Sequence, residues 1–174
     1  GYSLDRFARG EIGLKKVNQQ KIGIIFDAGI ENEILIRHLQ AADACVATLG
    51  IEVESYIVTQ EPLDIVISNE LSGLSSGLIK NPEILINAGN NLINSGITAI
   101  AIVTRLPDSI NTENLNRYRE GKGIDVIAGV EAVISHLISK FLKVPCAHAP
   151  ALMPIELKEN LDPRAAGEEI GYTF

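Results

Sequence analysis

Two cysteines in 174 residues, Cys45 and Cys146, are too few for a disulfide framework. The chain therefore reads as one that folds on its hydrophobic core in a reducing, cytosol-like compartment. Apolar runs are short. None approaches the eighteen or so residues of a membrane span, so no membrane partner is expected. No basic n-region, apolar h-region or cleavage site opens the chain, and no secretory signal is read. Clusters of Lys and Arg are missing as well. With 15 basic against 22 acidic side chains, the formal net charge of -7 argues against nucleic acid as the main partner. A small anionic ligand stays compatible, because local dipoles and one arginine can outweigh net charge. Two glycine signatures are absent too. No Gly-Lys-Ser/Thr completes a Walker A motif, and no Gly-x-Gly-x-x-Gly follows the first strand. The residues name no cofactor.

What is present is a 46% hydrophobic chain, enough for one domain with a real core. Lys21–Asp27 is a β-rich apolar run, expected as a strand buried on both faces and ending at Asp27-Ala28-Gly29. Leu35, Leu39, Ala42, Val46 and Leu49 form one helical stripe over 31–49, closed by Gly50. Glu54–Thr59 is a second strand. Leu63–Ile67, after Pro62, is a further short strand, hairpin partner or edge. Residues 68–80 read as a turn-rich loop containing Ser72, Gly73, Ser75, Ser76 and Gly77. Asn81-Pro82-Glu83 starts a helix with Asn as N-cap and Pro at N1, and Leu85, Ala88 and Leu92 face the core. Residues 97–104 are the third firm strand. Arg105 to Gly123 reads as a long polar loop, a form usually functional or mobile. A helix over 125–142, a strand over 144–149 and a last helix from Asp162-Pro163 complete the chain.

This alternation predicts a three-layer α/β domain over 1–174, Rossmann-like, with a mostly parallel sheet of four or five strands and helices on both faces. Both ends read as cut, so the chain is expected to be an internal fragment of a longer one.

Ligands of open α/β sheets bind beyond the carboxyl ends of the strands. Standing there are Asp27, Thr59, Thr104-Arg105 and Cys146-Ala147-His148. Asp27 and His148 are the candidates for proton chemistry; an Asp-Ala-Gly turn and a satisfied buried histidine are the plain alternatives. Arg105 is the candidate clamp for an anion, or else an ion-pair partner of Asp108 or Glu120. Ser72, Gly73, Ser75, Ser76 and Gly77 offer amides and hydroxyls to an anion near the helix start at Asn81. Gly121-Lys122-Gly123 is a second such loop and a candidate lid. Cys146-x-His148 would share a strand face. It lacks further ligands at metal-binding spacing, so no metal is assigned. Glu131 and Ser135 lie one helical turn apart, a pattern that fits helix solvation.

Gly1-Tyr2-Ser3-Leu4-Asp5-Arg6-Phe7-Ala8, Asp27-Ala28-Gly29-Ile30-Glu31, His38-Leu39-Gln40-Ala41-Ala42-Asp43, Gly129-Val130-Glu131-Ala132-Val133-Ile134-Ser135-His136 and Pro145-Cys146-Ala147-His148-Ala149-Pro150-Ala151 together resemble an uncharacterised family of cyanobacterial and plastid proteins. That family is classed as a domain of unknown function. The resemblance covers nearly the whole chain. It implies members longer at both ends, with a further glycine-rich segment on the N-terminal side, and a soluble cytoplasmic location (the plastid stroma if the source is a plant or alga), and supplies no reaction or cofactor. The functional expectation is a binding domain or enzyme for a small anionic metabolite. The alternative is a non-catalytic module that docks a protein or a second copy of itself through the apolar stretch Ala149–Leu157.

Overall fold

The computed structural model describes residues 2–69, 75–108, 112–153, 162, 163, 165 and 166. After α1 (Tyr2–Ala8), the chain runs β1 (Lys21–Phe26), α2 (Asn32–Leu49), β2 (Glu52–Val58), β3 (Ile65–Asn69), β4 (Ser75–Ile79), α3 (Pro82–Asn94), β5 (Ala99–Arg105), α4 (Thr112–Arg119), α5 (Ala128–Leu142) and β6 (Cys146–Ala151). Four strands form a parallel sheet in the order β2-β1-β5-β6. The fold is α/β with helices on both faces, as the alternation predicts.

Side chains alternate across the sheet, which sorts the core in two. Ile25, Ile100 and Ile102 pack with Leu85, Ala88 and Leu92 of α3 and with Val130, Ile134 and Ile138 of α5. Ile24, Phe26 and Val103 point the other way, toward Ile34, Leu35 and Leu39 of α2. β1 thus steps to β2 across one face, while β2 to β5 and β5 to β6 step the opposite way across the other. Right-handed crossovers require that arrangement. The order reverses between β1 and β5, and a crevice opens at their carboxyl ends. Among the described residues, β6 is an edge strand. Its odd residues bond β5 through the carbonyls of Pro145 and Ala151. Pro150 therefore turns its missing N–H to the open edge, where it costs no ladder bond.

Four expectations need correction. The short strand after Pro62 pairs with neither β1 nor β2. It forms an antiparallel hairpin with β4. Ser75, Ser76 and Gly77 are the first half of β4, not a loop. Their smallness serves packing: a Cβ on Gly77 would collide with Val130, and one on Gly129 would collide with the Ser75 backbone. The stretch from Arg105 to Gly123 contains α4, with Glu113 in its first turn and Arg117 and Arg119 in its last, the charge order that suits the helix dipole. Asn81 precedes Pro82 as expected, yet its side chain makes no capping bond. Of the last predicted helix, Asp162 is not helical while Pro163, Ala165 and Ala166 are; residues 164 and 167–170 lie outside the described residues, as do Ser72, Gly73 and residues 154–157 of the apolar stretch.

Candidate functional site

Backbone pairing extends one residue beyond the strands. Thr59 N–H donates to the Phe26 carbonyl and Asp27 N–H to that of Val103. Asp27, Thr59, Thr104 and Arg105 consequently stand on one rim, with His148 just inside it on β6. Ile102 pairs with both Ile25 and His148, so His148 lies two strands across from β1.

Asp27 is 2% exposed. Its Oδ1 accepts the N–H of Gly29 at 2.9 Å and of Leu63 at 3.1 Å, and its Oδ2 accepts that of Arg105 at 3.1 Å. Three backbone donors compensate a buried carboxylate. They also tie the β1 turn, the approach to β3 and the end of β5 to one side chain. Thr59 works beside it, accepting from Ala28 N–H and donating to the Glu61 carbonyl.

Arg105 lies in a cleft of about 320 Å³ lined by Asp27, Gly29, Glu31, Asp64, Leu106 and Asp108, among others. Its guanidinium grips Glu31 with two bonds, Nε to Oε2 at 2.8 Å and Nη2 to Oε1 at 2.9 Å. Nη2 also donates to Asp108 at 2.7 Å, and Nη1 to the Leu106 carbonyl. The Arg105 side chain is 14% exposed, while those of Glu31 and Asp108 are 48% and 61% exposed. Hydrogen bonds from Arg105 hold both carboxyls below their ordinary range. Of the two pairings expected for Arg105, Asp108 is a partner. Glu120 pairs with Lys122 at 3.3 Å.

His148 is held at both nitrogens. Nε2 lies 2.7 Å from Thr104 Oγ1, and Nδ1 lies 3.0 Å from Glu131 Oε1. In the tautomer whose Nδ1–H donates to the Glu131 carboxylate, the Nε2 lone pair accepts from the Thr104 hydroxyl. Hydroxyl, imidazole and carboxylate stand in the order of a nucleophile–base relay. Thr104 is 0% exposed and the His148 side chain 3%, while Glu131 is 28% exposed. Neither ring nitrogen is left for Cys146. That thiol packs against the core, and burial pushes its pKa up to about 12, a protonated and poor nucleophile. Among the described residues, no group of three His, Cys, Asp or Glu could hold a metal ion.

Sequence reasoning placed Thr104 at the rim without giving it a role and read Glu131 as helix solvation. Ser135 bonds the backbone carbonyls of Glu131 and Ala132, which frees the Glu131 carboxylate for His148. The missed signal was topological. α5 runs antiparallel to β5 and β6, so its first turn returns to the same rim as the end of β6. Asp125, just before α5, caps Ile127 N–H, and burial, with the Glu131 charge adding to it, pushes its carboxyl up.

The remaining predicted ligand residues stand apart. Ser75 Oγ donates to the Val126 carbonyl and accepts from Gly129 N–H, fastening β4 to the start of α5. Ser76 bonds Ser68 across the hairpin. Gly121 and Lys122 close α4 by bonding the carbonyls of Tyr118 and Arg117. None of Ser75, Ser76, Gly77 and Lys122 lines the Arg105 cleft, and neither does His148.

A family model described as Protein of unknown function (DUF3326) matches residues 1–174. An uncharacterized lipoprotein of Synechococcus sp. is 47% identical over 174 residues, covering 100% of this chain and 48% of the relative. The chain thus spans about half the length of the curated relative it matches. No solved structure matches it.

Proposed function

The chain belongs to the DUF3326 family, whose description assigns no activity, and from its own geometry we propose that it binds and transforms a small metabolite at the carboxyl rim of its sheet. One observation carries the reading: Thr104, His148 and Glu131 are joined at 2.7 and 3.0 Å in the order that general base catalysis uses. His148 Nε2 takes a proton from a hydroxyl, Thr104 or one that displaces it, and Glu131 stabilises the resulting imidazolium. Arg105, whose cleft His148 does not line, anchors a charged group of a ligand that reaches from that cleft around the end of β5. Asp27, saturated by backbone amides, shapes the rim instead of moving a proton. Thr104 is fully buried, so the rim must open before chemistry begins.

A thermal-shift screen of the full-length protein against phosphorylated metabolites, nucleotides, amino acids and divalent metals tests the binding half of the proposal. His148→Gln then tests the chemistry on any ligand found. Binding should persist and turnover should fall by about 100-fold or more. A histidine that merely clamps α5 to β6 gives a lower melting temperature with unchanged turnover, and that result would sink the catalytic half.

We place the domain in a reducing compartment because both cysteines are free thiols. Among the described residues, no helix is long and apolar enough to cross a membrane. The Synechococcus relative is called a lipoprotein, which sets a membrane-associated location against this placement. Fractionation of cells, with the protein recovered in the membrane pellet, would overturn it.

A further inference from the structure

We propose that the cleft between the ends of β1 and β5 receives an amino-acid-type zwitterion, its carboxylate seated on Arg105 where Glu31 now sits. The proposal rests on reading the rim as a ligand site and names the class of ligand.

Two features of the cleft pull in opposite directions. Arg105 presents a fork suited to a planar carboxylate, and the fork is already shaped. Its Nη1 is fixed on the Leu106 carbonyl, and its own backbone N–H is fixed on Asp27. The charge around it is unfavourable to an anion. Asp27, Glu31, Asp64 and Asp108 line the cleft against the one arginine. A phosphate dianion would raise an excess that is already negative. A ligand bearing one carboxylate and one ammonium leaves that balance unchanged.

Glu31 shows what the fork accepts. It belongs to the protein but sits as a ligand would, bidentate on Nε and Nη2, with its own side chain half exposed to water. An incoming carboxylate that replaces it keeps the charge on Arg105 as it stands. Asp108, which lines the same cleft beside the fork, accepts an ammonium on the adjoining carbon, and the displaced Glu31 turns out to water. Pro62, Ile65 and Pro107 supply an apolar wall for a short side chain. Glu31 is thus an internal competitor. Exposed ion pairs are weak, so a ligand with a second attachment point can displace it.

The test is isothermal titration of the full-length protein with L-alanine, L-valine and L-glutamate, with propionate, ethylamine and inorganic phosphate as controls. At least one amino acid should bind, while propionate and ethylamine, each carrying half of the zwitterion, should not. Glu31→Gln should tighten that binding by about two- to fivefold, the worth of the exposed pair it removes. Arg105→Lys should abolish it, because an ammonium cannot reproduce the fork. Glu31 is half exposed, so its variant stays informative even if the arginine variant unfolds. Binding of phosphate that depends on Arg105 overturns the zwitterion and leaves the rim reading standing. Amino-acid binding that Glu31→Gln does not tighten overturns the competitor role. No binding by any probe, with Arg105 variants indistinguishable from the parent, overturns both.

Discussion

Asp27 holds three separate segments through one buried carboxylate, so its chemistry is visible in stability. Asp27→Asn preserves size and one acceptor oxygen, but it turns an NH₂ group toward a backbone N–H and removes the charge. An unsatisfied buried donor costs about 1–3 kcal/mol. The urea midpoint should fall accordingly, and a variant as stable as the parent would remove Asp27 from its organising role. Arg105 acts at the same scale with a pH signature. Glu31 and Asp108 have folded pKa values below their unfolded ones. Such groups add stability that is present above the ordinary carboxyl range and is lost as pH falls through the depressed values. Arg105→Gln should therefore lose less stability than the parent on going from about pH 5.5 to about pH 3. Both acids are largely exposed, so the difference will be small and will shrink with added salt. Parallel pH profiles would show that the three groups do not interact in solution.

At the scale of elements, regular periodicity was legible and close packing was not. The α3 stripe of Leu85, Ala88 and Leu92 could be read directly because a helix repeats its buried face every three to four residues. β4 could not. Ser75-Ser76-Gly77 carries no strand pattern, since Ser75 and Gly77 answer to the start of α5, far off in sequence, and Ser76 to Ser68 across the hairpin. His148 was legible as a residue at a strand end. Its partners were not, because Thr104 and Glu131 lie 44 and 17 residues away and meet it only once the crossovers are formed. The hairpin's dependence on α5 gives a sharp expectation for Gly129→Ala. The added methyl meets the Ser75 backbone, which cannot move without leaving the Val126 carbonyl. The substitution should cost about 1–3 kcal/mol, the usual range for overpacking. Hydrogen exchange should rise in β3 and β4 while β1 and β5 stay protected. Uniform loss of protection across the sheet would mean that the hairpin and the sheet unfold as one unit.

At the scale of the molecule, the described residues are distributed unequally across the sheet. Among the described residues, the face covered by α3, α5 and the hairpin buries sixteen in one cluster, whereas the α2 face buries five. Of the 18 residues in α2, Ile34 is the one buried. The stripe read from the sequence exists on α2, yet it leaves the sheet as it runs. Leu35, Leu39 and Ala42 are half buried, Val46 is 41% exposed and Leu49 is 72% exposed. Apolar periodicity reports a helix and the face it would bury, but not how much of that face finds a partner within the described residues. Equal-looking leucines should therefore differ in weight. Leu85→Ala, which empties a fully buried site on α3, should cost about 2–5 kcal/mol. Leu49→Lys should stay within about 0.5 kcal/mol of the parent, as surface changes usually do. Native-state hydrogen exchange should rank the elements in the same way, with α2 opening at lower free energy than α3 or α5. If Leu49→Lys instead destabilises the protein as strongly as Leu85→Ala, the C-terminal turns of α2 are covered in solution. The two faces would then contribute alike.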